Sequence, residues 1–124
     1  MTDRYYSVGL MSVTSVDGID AAVSEHVVDG DGGVGSRLVA AIGVPLADSA
    51  RAAVFSLFED GAGSLDALAL LDMELGEAFA GAALAAIREA GLKPSDVAVI
   101  GSHGQTIRHV AGSPGSPRRA RGTS

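Results

Sequence analysis

Cysteine is absent from the sequence, which excludes disulfide bonds and thiolate chemistry. Positive charge is also scarce, because nine Lys and Arg residues face fifteen Asp and Glu residues. The resulting formal net charge of −6 argues against nucleic acid as a partner. No apolar run reaches the roughly 18 residues of a membrane-spanning helix, and no basic segment with an apolar run and a cleavage site opens the chain. These absences predict a cytoplasmic protein that contacts neither membrane nor nucleic acid.

The composition indicates a folded domain. Hydrophobic residues make up 47% of the chain and charged residues 19%, as in globular proteins. A chain of 124 residues forms one domain at most and can bury roughly two thirds of its unfolded surface. One hydrophobic core is therefore expected.

A stretch near the start, residues 7–20, places a polar turn between two apolar runs. Val8, Leu10 and Met11 precede the turn, and residues 21–23 follow it. This order is typical of a strand, a tight turn and a second strand.

The turn is rich in groups that bind anions and metal ions. It contains the hydroxyls of Ser12, Thr14 and Ser15 and the carboxylates of Asp17 and Asp20. Hydroxyls and backbone N–H groups hold phosphate oxygens, and a carboxylate holds the hydrated metal ion that accompanies a nucleotide. The same residue types also form ordinary hairpin turns, because they bond their own backbone or tolerate positive φ. Composition alone leaves both interpretations open.

The remaining pattern predicts a mixed α/β fold. Three strands in a meander are followed by a helix that begins after Pro45, and then by a longer helix that Gly91 ends. A last apolar run predicts a buried central strand, parallel to the first and reached by a helical crossover. An Asp- and Gly-rich segment, residues 29–33, lacks the closing Glu of a calcium loop and predicts a hairpin turn. The predicted strands are residues 5–11, 18–26, 37–42 and 96–101, and the predicted helices are residues 47–59 and 65–90.

The longer helix has an apolar stripe and an acidic face. Ser64 is its predicted N-cap. The stripe is predicted to pack on the sheet, with a partner helix as the alternative; it consists of Leu68, Leu71, Leu75, Phe79 and Ala82 or Ala83. The acidic residues are predicted to form a solvated face without a catalytic role; they are Asp72, Glu74, Glu77 and Glu89.

A second polar stretch, Ser102-His103-Gly104-Gln105, follows the last predicted strand. Because ligands of such sheets gather at the carboxyl ends of strands, this stretch and the first turn are expected to lie together. A lone histidine beside a strand end is more often a hydrogen-bonded structural residue than a base. His103 and His109 also lack the Cys or acid that would complete a tetrahedral metal site.

Residues 11–20 read Met-Ser-Val-Thr-Ser-Val-Asp-Gly-Ile-Asp, and residues 100–106 read Ile-Gly-Ser-His-Gly-Gln-Thr. These motifs resemble the two signatures of the anhydro-N-acetylmuramic acid kinases, Met-Ser-Gly-Thr-Ser-x-Asp-Gly-(Val/Ile)-Asp and Ile-Gly-x-His-Gly-Gln-Thr, at the family's spacing. The resemblance covers about residues 5–110. It implies a ribonuclease-H-like fold of the actin/hexokinase/Hsp70 ATPase superfamily, with three meander strands, a parallel strand and packed helices. Residues 1–110 would form an incomplete first domain of this kind.

The resemblance also implies roles for both motifs. ATP and Mg²⁺ are the implied cofactors, with Asp17 as the metal-linked carboxylate. Val13 stands where the family has glycine, and its β-branched side chain adds bulk where a phosphate would approach the backbone. The residues implied to contact the nucleotide phosphates are Val13, Thr14, Ser15, Val16, Asp17, Gly18, Ile19 and Asp20. The residues implied to border and position the sugar are His103, Gly104, Gln105 and Thr106.

The implied reaction is ATP-dependent phosphorylation of 1,6-anhydro-N-acetylmuramic acid, with opening of its anhydro bridge by water. The product is N-acetylmuramic acid 6-phosphate, recovered during peptidoglycan recycling. Attack by water needs a general base, and no residue of the chain is assigned to that role. Three hypotheses stay open: an N-terminal piece of the kinase with little or no activity alone, a non-catalytic nucleotide- or sugar-binding module, and a folded remnant without a ligand.

The end of the sequence differs in character from the rest. Residues 111–124 contain three arginines and no apolar periodicity, which is typical of a disordered tail. In the resembled family a further strand and a second domain with the catalytic aspartate would follow. The expectation is therefore a truncated or frame-shifted copy, with a basic tail for an acidic partner as the alternative. Apolar surface left uncovered by a missing domain predicts self-association.

Overall fold

Four strands form one mixed sheet, and two long helices pack beside it. The computed structural model describes residues 3–12, 16–60 and 64–107, except for the side chains of residues 58–60. In chain order the elements are β1 (Asp3–Met11), β2 (Gly18–Val28), β3 (Val34–Pro45), α1 (Asp48–Asp60), α2 (Leu65–Glu89), a 3-10 turn (Pro94–Asp96) and β4 (Val97–Ser102). The sheet order is β3-β2-β1-β4, with β4 parallel to β1 and the other pairs antiparallel. The predicted fold class is confirmed.

The sheet buries one of its two faces. Side chains alternate along β1 and β2, as expected when one face of a sheet is packed. Helix α2 covers the packed face of β1, β2 and β3, and its small residues bring the helix close to the strands. The core contributions of the two strands are Val8, Leu10, Ile19, Ala21 and Val23, and those of α2 are Leu71, Phe79, Ala82, Ala83, Ala86 and Ile87.

Both ends of α2 follow from local chemistry. The Ser64 hydroxyl accepts a hydrogen bond from the Ala67 N–H at 3.0 Å, which confirms the predicted N-cap. At the other end Gly91 has a φ of 75°, the left-handed conformation that commonly terminates a helix.

The predicted stripe of α2 is buried only in part. Leu71 and Phe79 are buried, whereas Leu75 is half-buried and Leu68 is 38% exposed. The spacing of the apolar residues correctly predicted which side of α2 packs on the sheet. It did not predict the residue at which burial of that side begins. The acidic residues predicted to be solvated, Asp72, Glu74, Glu77 and Glu89, are exposed.

Two strand predictions require correction. The predicted buried central strand, β4, is parallel to β1 as expected, but it lies at the edge of the described sheet with five of its six residues exposed. An apolar run indicates a strand, but it does not indicate which elements cover that strand.

Strand β3 is longer than predicted, because its pairing with β2 extends from Val34 to Pro45. Pro45 is the last residue of β3, a position that is tolerated because β3 is an edge strand.

Three further predictions concern the turn after β2, membrane-spanning helices and the end of the chain. The hairpin turn at residues 29–33 is confirmed by hydrogen bonds between Asp29 and the backbone of Gly32 and Gly33. No helix within residues 3–12, 16–60 and 64–107 is long and apolar enough to cross a bilayer. The predicted tail, residues 111–124, lies outside the described residues.

Candidate functional site

Two polar segments meet at the carboxyl ends of β1 and β4. The His103 N–H donates to the Leu10 carbonyl at 2.9 Å, which continues the pairing of the two strands beyond Ser102. The Ser12 hydroxyl then donates to Oε1 of Gln105, and both side chains are buried. The prediction that the two segments lie at the same end of the sheet is confirmed for these residues.

The segment after β4 is held in shape by its own hydrogen bonds. Nε2 of Gln105 donates to the Thr106 carbonyl at 2.8 Å, so both ends of the buried carboxamide are paired. Gly104 has a φ of 77°, and its N–H donates to the Ser102 hydroxyl at 3.1 Å. His103 itself is exposed, and the structure shows no side-chain partner for it within the described residues.

The residues flanking Asp17 fix the backbone of the turn between β1 and β2. Val16 is wholly buried yet has a φ of 55°, a conformation that costs a β-branched residue about 1–3 kcal/mol. Gly18 is required by space, because a Cβ there would lie 2.5 Å from the Val44 carbonyl oxygen. The turn is thus anchored in the core on one side and against β3 on the other.

The side chain of Asp17, between Val16 and Gly18, is exposed to solvent. It is 74% exposed, and its Oδ1 lies 3.3 Å from Nη2 of Arg51. The Arg51 guanidinium also lies over the Phe55 ring, 5.4 Å from its centroid. Asp17 and Asp20 both line a cavity of about 380 Å³ beside β3. Two carboxylates and one cation are therefore brought together at this end of the sheet.

Arg51 was missed by sequence reasoning. It lies 34 positions from Asp17, on a different element, so no local motif contains both. One signal was available: Arg51 sits in the first turn of α1, where its N–H donates to the Ala47 carbonyl. A cation there is at the unfavourable end of the helix dipole, so helix stability does not account for it.

A larger cavity, about 590 Å³, lies between α2 and residues 102–107. Its walls are mainly apolar, with Leu75 and Phe79 of α2 facing Ile107. Polar groups enter it from Asp72 and from the buried Gln105. An apolar wall with few polar groups is typical of small-molecule sites. Asp72, predicted only as part of a solvated face, is thus also a wall residue of this cavity.

The predicted phosphate-contacting residues divide into three groups. Val13, Thr14 and Ser15 lie outside the described residues. The side chains of Val16 and Ile19 are buried in the core, which leaves their backbone groups as the parts that can face a ligand. The remaining members, Asp17, Gly18 and Asp20, line the smaller cavity, as Ile19 also does.

The sheet order, the helical crossover into β4 and the joined polar segments define an α/β domain of the actin-like ATPase type. The family model described as Anhydro-N-acetylmuramic acid kinase matches residues 4–117. The chain therefore belongs to the anhydro-N-acetylmuramic acid kinase family, as the two motifs predicted.

Curated relatives agree with this assignment. The anhydro-N-acetylmuramic acid kinase of Caldanaerobacter subterraneus subsp. tengcongensis is 42% identical over 104 residues, which are 83% of this chain and 26% of the relative. That of Colwellia psychrerythraea is 41% identical over 106 residues, 86% of this chain and 26% of the relative. That of Cupriavidus pinatubonensis is 38% identical over 110 residues, 89% and 28% respectively. The chain spans about a quarter of the length of these relatives.

Proposed function

We propose that this chain forms part of the active site of a kinase that uses ATP and Mg²⁺ to phosphorylate 1,6-anhydro-N-acetylmuramic acid. Hydrolytic opening of the anhydro ring would accompany the transfer and give N-acetylmuramic acid 6-phosphate in peptidoglycan recycling. The observation that carries the proposal is the buried hydrogen bond from Ser12 to Gln105, one residue from each family motif. Breaking a buried polar pair is costly, so the fold holds the two motifs together before any ligand binds.

The nucleotide side of the proposal rests on the turn between β1 and β2. Mg²⁺ commonly takes one or two protein carboxylates and completes its shell with phosphate oxygens and water. Asp17 fits this role, because it is exposed at a cavity that Asp20 also lines. Within the described residues no cluster of three acids or histidines is placed to hold a metal. Asp17 would therefore hold a hydrated ion that neutralises phosphate charge, with the hydroxyls of Thr14 and Ser15 proposed as further phosphate contacts.

The sugar side of the proposal rests on the larger cavity and on residues 103–106. The methyl groups of an N-acetylated, lactyl-bearing sugar suit the apolar wall formed by Leu75 and Phe79. Ser102 and Gln105 supply polar groups on the same cavity for hydroxyl or amide contacts. Gln105 is already oriented by Ser12 and Thr106, so it would bind without losing rotamer freedom.

The chain by itself is proposed to bind ligands without turnover. Attack by water needs a general base within hydrogen-bond reach of the water molecule. Asp17 is paired with Arg51 and is proposed for the metal, and His103 does not line the larger cavity. Neither residue is assigned as the base.

Calorimetric titration of the purified chain with Mg-ATP, and separately with the anhydro sugar, tests this function. We expect saturable binding of both ligands and no turnover above blank in a coupled kinase assay. Asp17→Asn should remove the Mg²⁺-dependent part of ATP binding, a loss of about 10-fold if one charge-assisted contact is lost. Asp3→Asn, an exposed carboxylate at the opposite end of β1, is the matched control and should bind like the unmodified chain. Absence of binding to both ligands would refute the proposal.

A further inference from the structure

A polyphosphate at the turn between β1 and β2 would meet unfavourable charge. The chain has a formal net charge of −6, and the carboxylates of Asp17 and Asp20 line the cavity at this turn. Sites that bind and transfer phosphoryl groups neutralise them with a metal ion together with Arg or Lys side chains. A cation from the protein is therefore needed here in addition to the metal.

The described residues offer one cation at the required place. The cationic side chains within residues 3–12, 16–60 and 64–107 are Arg4, Arg37, Arg51, Arg88 and Lys93. The first two contact Glu25, which lies opposite Tyr6 in the first half of β1. The last two flank the connection into β4, whose first residue also pairs with Tyr6. Of the five, Arg51 alone lies at the carboxyl end of β1.

We propose that Arg51 is a nucleotide-binding residue whose guanidinium contacts the phosphates at this turn. The proposal rests on the proposed function and extends it to a residue outside both motifs. The guanidinium is half-exposed and lies 3.3 Å from Asp17, a residue that lines the cavity. Its planar array of N–H donors suits phosphate oxygens, which it can bind through two hydrogen bonds at once.

The ion pair with Asp17 positions Arg51, and it can be broken at a small cost in free energy. Exposed ion pairs stabilise proteins weakly, so a polyphosphate with stronger charge-assisted hydrogen bonds can take the guanidinium from Asp17. Contact with the Phe55 ring limits the positions that the side chain can reach. The exchange also frees the Asp17 carboxylate for a hydrated metal ion. Arg51 and a bound Mg²⁺ would thus contact the same polyphosphate. Arg51 would neutralise phosphate charge, and the metal ion would neutralise the Asp17 carboxylate that Arg51 has left.

The first test compares two exposed arginines of equal charge, one at this turn and one at the other end of the sheet. Arg51→Gln and Arg37→Gln each remove an exposed guanidinium that pairs with a carboxylate at 3.3 or 3.4 Å. Calorimetric titration with Mg-ATP at fixed ionic strength should show at least tenfold weaker binding for Arg51→Gln. Arg37→Gln should stay within twofold of the unmodified chain, and Arg51→Lys should retain part of the affinity. Circular dichroism and the midpoint of thermal unfolding would verify that each variant folds.

The second test uses metal-free tripolyphosphate as the probe. Asp17→Asn removes the group that holds Arg51 and repels phosphate, so it should bind the probe several-fold more tightly. The gain should be clearly smaller when the same change is made in an Arg51→Gln background, because only the loss of repulsion remains there. An equal gain in both backgrounds would overturn the inference.

The outcomes separate this inference from the function on which it rests. Equal Mg-ATP binding by the unmodified chain and Arg51→Gln would overturn the inference while leaving the function standing. Equal weakening by Arg51→Gln and Arg37→Gln would also overturn it, because net charge would then be the cause. If the unmodified chain binds neither Mg-ATP nor tripolyphosphate, both proposals are wrong.

Discussion

Gly18 illustrates how a motif residue can be fixed by packing. Its backbone does not need the left-handed region; instead, an added Cβ would lie 2.5 Å from the Val44 carbonyl oxygen. Glycine at this position therefore allows β2 and β3 to pair beside the turn.

Replacing this glycine should destabilise the domain. We expect Gly18→Ala to lower the free energy of unfolding by about 2 kcal/mol, because the β2–β3 backbone must shift. Gly9→Ala is the matched control within the same sheet, since nothing lies within 4 Å of its Cβ position. That change should raise stability slightly, by at most about 1 kcal/mol. Urea denaturation measures both; equal effects would contradict the packing explanation.

The bond between Ser12 and Gln105 can be measured by a double-mutant cycle. Ser12→Ala leaves the Gln105 carbonyl without its donor and should cost about 1–3 kcal/mol of unfolding free energy. Gln105→Met should cost a similar amount, and the double variant clearly less than the sum. Ser56→Ala, an exposed position on α1, combined with Ser12→Ala provides the control and should be additive. Additivity of the first pair would show that the two motifs are not coupled.

Among individual residues, local chemistry was predictable and long-range partners were not. Ser64 and Gly91 act through their immediate neighbours, and both helix ends were predicted correctly. The pairing of Asp17 with Arg51 joins residues on separate elements. It depends on where α1 packs, which no periodicity in the sequence specifies.

At the scale of whole elements, the pattern of the apolar residues determined what could be predicted. Apolar runs separated by turn residues located the strands, and a 3.6-residue period located α2 and its buried side. The parallel arrangement of the first and last strands predicted that their carboxyl ends lie together, which the Ser12–Gln105 bond confirms. The edge position of β4 could not be predicted, because a short apolar run looks the same in a covered and an uncovered strand.

The approach of α2 to the sheet depends on its alanines. Ala82 and Ala86 are completely buried, so the helix backbone lies close to the strands. Ala82→Leu would force three additional carbons into a filled space and should cost about 1–3 kcal/mol. Ala80→Leu, two positions earlier and exposed, should change stability by less than about 0.5 kcal/mol. Thermal and urea unfolding of the two variants would distinguish tight packing from a general intolerance of leucine in this helix.

For the molecule as a whole, the main feature is the apolar surface on and beside β4. Val99 is 60% exposed and Ile100 52% exposed, on opposite faces of the strand. Val99 pairs with Ser7 and therefore shares the face of Gly9 and Met11, on the side of the sheet away from α2. Within the described residues nothing covers this face. An uncovered edge with apolar side chains and no Lys or Pro is a surface to which another strand can add.

Self-association through β4 is therefore expected. Light scattering should show a mass that rises with protein concentration, because pairing at this edge buries Val99 and satisfies open backbone groups. Val99→Lys should weaken the association about 10-fold or more, since lysines on facing edges repel and must be desolvated. Leu84→Lys is the control: it places the same charge at a 49% exposed apolar residue on α2, away from this edge, and should leave the association unchanged. A constant monomeric mass at high concentration would contradict the prediction, and equal weakening by both lysines would mean that net charge, and not the β4 edge, governs the contact.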